Sequence, residues 1–231
     1  MKKFKLTDET QDSHGILLYR IEALTDFADI KSGDKGGWVG EENNLAQNGD
    51  AWIYGNAQVS GDAQISGNAK IFGDARVHGD ARVHGYNHIS GNAHVSGNAR
   101  IYGDAWIYGN AKVFDIAQVY GDSEVSDDAQ VSGDAQISGN AKIFGDARVH
   151  GDAQVSEDAK ISGNAQISGN ARIVGDAQIY DTAQIYDTAD VGGNDDISGN
   201  DYFKQHTLTP KVTFDYDYEP NETDDSGNSV G

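Results

Sequence analysis

Four histidines fall within one short stretch of the chain, at His78, His84, His88 and His94. Imidazole titrates near neutral pH and is the commonest general base, so these are the first residues to consider for proton-transfer chemistry. His78 and His84 each follow a valine, whereas His88 and His94 each precede an aliphatic residue. In an extended segment the neighbours of an inward residue face outward, so all four are expected to project to solvent. A second set of oxygen-bearing side chains recurs along the chain as Asp74, Asn92, Asn110, Asp128 and Asp146. Stacked carboxylates at such positions could hold Ca²⁺, a hard cation that seeks oxygen ligands. Turn formation explains them better: neutral Asn alternates with Asp, and the Gly-Gly-x-Gly-x-Asp calcium repeat is missing. No metal site is assigned. The sequence holds no cysteine, nucleophile elbow, zinc spacing or phosphate-cradling loop, its glycines being accounted for by a regular repeat.

That repeat must position everything else. From Ile53 to Ile197 every sixth residue is Val or Ile, giving 25 consecutive positions with no insertion. Four residues after each comes Ala in 21 of 24 hexads, with Asn87, Ser123 and Asp195 as the exceptions. A helix has no use for a period of six. A short strand does, because in Gln64-Ile65-Ser66 only the central side chain faces one side. Gly67-Asn68 then turns the chain, both residue types tolerating left-handed backbone, and Ala69 leaves room at a narrow corner. Each hexad is thus one strand and one corner, and stacking them as parallel ladders lines an interior with Val, Ile and Ala.

Long duplications indicate how many hexads form one coil, since stacking survives only shifts by whole coils. Residues 60–81 recur unchanged at 132–153, and residues 49–57 recur at 103–111, shifts of 72 and 54 with a greatest common divisor of 18. Shorter matches such as 73–78 with 79–84 shift by six; the long ones favour three hexads per coil and a triangular prism. On that register His78 and His94 share a face in neighbouring coils, and His84 and His88 occupy the other two. His78 is also copied as His150 inside the duplicated block, beside Ser168 rather than a second histidine, a pattern of surface repetition. One face collects Trp52, Tyr54, Phe72, Trp106, Tyr108, Phe144 and Tyr180, more apolar surface than a solvated wall needs. This aromatic face is the expected oligomer or binding surface.

Composition narrows the partners. With 17 Lys+Arg against 37 Asp+Glu the net charge is −20, which opposes both nucleic-acid phosphates and anionic membranes. The N-terminus lacks the apolar run of a signal peptide and no stretch is long and apolar enough to span a bilayer, so a soluble cytoplasmic protein is expected.

The hexad resembles that of the hexapeptide-repeat, left-handed β-helix proteins, which also pair an aliphatic residue with a small one four places later. The segment from Ala23-Leu24-Thr25-Asp26-Phe27 through Gly36-Gly37-Trp38-Val39 to Ala51-Trp52-Ile53-Tyr54 is similar to the YdcK-like branch, whose members are commonly labelled transferases on fold alone. The resemblance implies an all-β, single-stranded, left-handed parallel β-helix. It also implies, as an alternative function, acyl transfer from acetyl-CoA by a histidine at a cleft between subunits of a homotrimer; otherwise no cofactor is expected. His78, His84, His88 and His94 are the weak candidates for that base. The loop that commonly projects from an interrupted coil in such enzymes is missing here, which favours a structural or binding solenoid whose aromatic face meets a protein partner or its own copies.

Residues 1–50 are expected to form an N-terminal β cap and an offset first coil, since Val39 and Leu45 are six apart but two residues out of register with Ile53. Phe4 to Leu6 and Ile16 to Ile21 read as its strands, with Trp38 and Leu45 covering the prism end. Residues 51–200 form the repeat. Residues 201–231 are expected to supply one alternating strand, Val212 to Tyr218, and an acidic disordered tail.

Overall fold

The computed structural model describes residues 2–199 and the backbone of a strand at Tyr202–Phe203; the expected strand at Val212 to Tyr218 and the tail lie outside the described residues. The repeat forms a parallel β-solenoid with eighteen-residue coils. Ile53 pairs with Ile71, Ile71 with Ile89 and Ile89 with Ile107, the same step continuing down every ladder. Three sheets enclose the interior. Nine strands stack from Trp52–Ile53 to Asp196–Ile197 on what we term the aromatic face, and eight from Gln64–Gly67 to Asp190–Val191 on a second face. The third runs from Gln58–Val59 to Tyr202–Phe203, and three N-terminal strands extend it to twelve.

The interior contains what the period requires. Every Val and Ile at the sixth-residue positions from Ile53 to Ile197 is at most 4% exposed, and each intervening Ala at most 2%. Two apolar residues per six suffice because each is fully enclosed, which is how a chain with only 37% hydrophobic residues builds a continuous core. Backbone groups pair from coil to coil, as where Phe72 N–H donates to Ile89 O at 2.9 Å. Corner glycines adopt positive φ, and crowding adds a second constraint: a Cβ on Gly97 (φ 65°) would sit 2.7 Å from the Asp115 carbonyl oxygen of the next coil. Where Asp115 itself takes this conformation (φ 60°), its carboxylate accepts the Gly133 N–H at 3.1 Å. The neighbouring Asn and Asp residues form short ladders, with Asn92 Nδ2 donating to Asn110 Oδ1 at 3.1 Å and Asn110 Nδ2 to Asp128 Oδ1 at 3.0 Å. Neutral Asn therefore links corners as well as diluting their charge.

The cap begins with strands β1 (Phe4–Ser13) and β2 (Ile16–Ala23), an antiparallel hairpin closed by His14-Gly15 with φ 56° and 83°. Strand β1 is longer than its apolar start suggests, because pairing with β2 carries it through a polar stretch with a register shift between Leu6 and Thr10. That irregularity, together with Asp8, Glu9 and Asp12, guards the outermost edge of the twelve-stranded sheet. Strand β3 (Lys35–Val39) pairs antiparallel with β2 and parallel with Gln58–Val59. Val39 matches Val59 and Leu45 matches Ile65, both twenty residues apart. The offset first coil is therefore present, its two extra residues lying between Leu45 and Ile53. Gly36 and Gly37 are needed for the close approach of β3: a Cβ on Gly37 would overlap Ile53 and lie 2.7 Å from the Ala57 carbonyl oxygen.

Leu45 is buried as expected, but Trp38 is not an end plug. It stands half-exposed on the outer surface beneath the Arg20 guanidinium, 5.0 Å from the ring centroid. Phe4, Ile21 and Ile30 are the cap residues that join the core instead.

Candidate functional site

Residues flanking the core positions of the aromatic face form two columns, because side chains eighteen apart stand above one another. Lys70, His88, Trp106, Glu124 and Lys142 succeed each other in one column. Phe72, Ser90, Tyr108, Ser126 and Phe144 follow on the other side of the same core residues. His88 lies stacked on Trp106, ring centroids 4.5 Å apart at 17°, and meets Phe72 edge-on at 6.1 Å. Burial, and then the Lys70 charge, hold the His88 pKa below its ordinary value, so the ring is a neutral backing for the indole. A hollow of about 540 Å³ opens beside it, lined by Phe72, Ser90, Trp106, Tyr108, Asp122 and Glu124. Trp106 remains 50% exposed at its rim.

The polar side of this hollow is a fixed network. Tyr108 OH donates to one Glu124 oxygen, and Lys142 Nζ donates to the other at 2.8 Å. Burial alone would raise the Glu124 pKa, but the bonds from Lys142 and Tyr108 outweigh it and keep the carboxyl ionised below its usual range. The same hydrogen bond to Glu124, then burial, raise Tyr108. The carboxylate of Asp122 is exposed and has no ion-pair or hydrogen-bond partner among the described residues.

Not all of the expected aromatic surface is open. Trp52 projects from the same face but is 1% exposed, because the cap folds over it: Phe27 and Phe4 meet it edge-on at 5.4 and 6.3 Å. Trp52 is therefore a core residue of the cap junction and drops out of the accessible set. Tyr54 is half-buried beside it, its hydroxyl reaching Asp29 Oδ1 at 3.3 Å, while Lys70 Nζ pairs with the same oxygen at 3.2 Å. Those contacts fix the loop around Asp29 onto the solenoid. Phe72, Trp106 and Tyr108 surround the hollow, whereas Phe144 and Tyr180 lie farther along the face and do not line it.

The other histidines are not drawn together into a site. His84 is exposed on the second face, its Nδ1 3.0 Å from Ser66 Oγ. His78 and His94 sit on the third face, where His94 pairs in register with Arg76. Burial, then Arg76, lower the His78 pKa; for His94 burial comes first, followed by Arg76, His78 and Lys112. Both are thus neutral at pH 7, the state a general base needs. Two further hollows, lined by Asp62, Arg82 and Arg100 among others and by Gln166, Gln184 and Tyr186 among others, include no histidine. Among the described residues no group of three His, Cys, Asp or Glu is placed to hold a metal ion, and no helix is long and apolar enough to cross a membrane.

Sequence reasoning grouped Trp106, Tyr108 and Phe72 on one face and set His88 on one of the two faces away from His78 and His94, without relating it to Trp106. The signal was present, since His88 and Trp106 are eighteen apart. Comparison with known proteins adds two findings. The profile of the YdcK β-solenoid repeat matches residues 63–79, 93–109, 135–151 and 165–181. The chain is also 37% identical over 62 residues to a protein of Escherichia coli (strain K12) described as "Uncharacterized acetyltransferase YdcK". That alignment covers 23% of this chain and 19% of the relative.

Proposed function

For this chain, a YdcK-like β-solenoid repeat protein, we propose a non-catalytic role as a rigid binding scaffold whose working surface is the open part of the aromatic face. The observation that carries this reading is the hollow beside Trp106: a half-exposed indole backed by His88, with carboxylates at its rim and no histidine in its lining. Half-exposed aromatic surface of this kind is favoured where partners dock and has no role in holding the coil together. The partner is a protein, a small ligand or another copy of the chain; nucleic acid and anionic membrane are disfavoured by the charge of −20. We place the protein in the cytoplasm.

The name of the Escherichia coli relative favours one second reading, acetyl transfer from acetyl-CoA. In that reading His78 or His94, both neutral at pH 7, acts as general base at a cleft completed by a neighbouring subunit. Fold alone does not carry chemistry, so the two readings are separated by experiment. Release of coenzyme A from acetyl-CoA is followed with amine and hydroxyl acceptors for the wild type, His78→Ala and His94→Ala, with the solution mass measured by light scattering. The scaffold reading expects no histidine-dependent release at any mass. A trimer whose release falls at least a hundredfold on loss of either histidine overturns it in favour of the transferase.

A further inference from the structure

The chemistry of the Trp106 hollow selects among ligands. Phe72, Ser90 and Tyr108 are successive members of one column, so the Phe72 and Tyr108 backbones are two strand spacings apart, about 10 Å. Ser90 between them is small, and the gap over it is the floor of the notch. Trp106 forms the adjoining wall, its orientation fixed by His88 at its back. Three aromatic groups therefore converge on a notch of about 540 Å³, within the size range of small-molecule sites.

The notch carries negative charge. Asp122 and Glu124 contribute carboxylates, while no Lys or Arg is among its lining residues. Lys142, the nearby cation, is committed to Glu124, and Asp122 is unpaired among the described residues. An anionic ligand would face both carboxylates and a chain of net charge −20. A second copy of the chain carries the same charge and is repelled. A neutral ligand gains the stacking surface but nothing from the field, whereas a cation gains from the carboxylates, the ring faces and long-range attraction together. A bare metal ion would find one free carboxylate, a second already bound by Lys142 and Tyr108, and two hydroxyls, fewer than the roughly six to eight oxygens Ca²⁺ takes. Alkyl groups on the cation use the apolar walls.

We propose that the notch formed by Phe72, Ser90, Trp106 and Tyr108, with Asp122 and Glu124 at its rim, is a binding site for a small alkylammonium ion. This rests on the reading of the aromatic face as a binding surface.

The test is titration of the full chain with tetramethylammonium chloride at constant ionic strength, compensated with sodium chloride, following the three tryptophan indole N–H signals by NMR. The expected result is a saturable shift of the Trp106 signal alone, with a millimolar dissociation constant. Asp122→Asn should weaken binding at least threefold, and the neutral analogue tert-butanol should bind at least tenfold more weakly than tetramethylammonium. Trp106→Phe, which keeps an aromatic wall, should retain weakened binding when read by calorimetry, with the fold checked by circular dichroism. No saturable shift, equal binding of tert-butanol, or indifference to Asp122→Asn would each overturn the proposal. A parallel titration with methyl β-glucoside separates the levels: saturation by the sugar and not by the ammonium ion removes the cation assignment and leaves the binding face standing. Histidine-dependent release of coenzyme A removes the scaffold reading whatever the titrations give.

Discussion

His88 and Trp106, eighteen residues apart in sequence, lie face to face on adjacent coils with their centroids 4.5 Å apart and their planes at 17°. The contact turns two outward side chains into one rigid step on the aromatic face and presents the free side of the indole to the hollow. His88→Ala should therefore leave the coil intact, costing less than about 1.5 kcal/mol. The effect should appear in Trp106: its emission shifts to the red and its accessibility to acrylamide rises, while an unchanged quenching constant would show that the stack does not order the indole.

The interior tolerates no such freedom. Ile107 is fully buried and pairs with Ile89 and Val125 above and below, so Ile107→Asp places an unpaired charge between two coils and should cost several kcal/mol. Ser132 is partly exposed on an outer wall, and Ser132→Asp should be nearly neutral. Denaturant midpoints of the two variants give the comparison, and similar losses would contradict the register.

Asn87 occupies a position that is Ala in most hexads, yet it is fully buried and saturated with hydrogen bonds. Its Nδ2 donates to the carbonyls of His84 (2.9 Å) and Ile101 (3.4 Å), and its Oδ1 accepts the Ala105 N–H at 3.1 Å. Restoring the common residue with Asn87→Ala should thus destabilise by about 1–3 kcal/mol, because it orphans buried backbone groups. Thermal unfolding of that variant checks the sign, which a consensus argument would give as stabilising.

The lowered pKa values of His78 and His94 give a pH effect of definite sign. Folded-state values below the ordinary 6.5 mean that the unfolded chain binds more protons just below that pH, so stability falls as pH drops through this window. Arg76 contributes to both shifts, and Arg76→Gln should move both histidines upward in an NMR titration. Unmoved values would exclude the Arg76 charge as a cause, leaving burial for His78 and burial with His78 and Lys112 for His94.

What the sequence made legible was whatever repeats. The eighteen-residue coil, the buried Val and Ile columns, and the offset of Val39 and Leu45 all follow from spacing, and spacing is preserved by stacking. Trp52 was misread for the complementary reason. Its repeat position points outward, and nothing periodic announces that Phe4 and Phe27, from segments without the repeat, fold over it. Trp38 erred in the opposite direction, its size suggesting a plug where the backbone places it outside under Arg20. The hollow beside Trp106 lies between these cases: its residues were grouped on one face, but its depth depends on Ser90 being small between two large neighbours.

The cap contains a further group that only the folded chain reveals. Lys3 is 5% exposed, with Nζ donating to the carbonyls of Ala51 at 2.9 Å and Gly49 at 3.2 Å and lying 5.2 Å from the Phe27 ring centroid. Removal from water penalises its ammonium form and lowers its pKa from 10.5 to about 8, against a smaller opposing pull from Asp50. Between those two values the unfolded chain binds more protons than the folded one, so raising the pH across this window stabilises the cap, whereas below it both states are protonated and the contribution is flat. In a Trp106→Phe background the remaining tryptophans, Trp38 and Trp52, both report on the cap region. Their denaturation midpoint should rise from pH 7.5 to 9, about one unit below the ordinary tyrosine pKa. Lys3→Met keeps the apolar stem and removes the titrating group, so its midpoint should not change over the same range. A wild-type midpoint that falls, or a Lys3→Met variant that keeps the slope, would place the titration elsewhere in the cap.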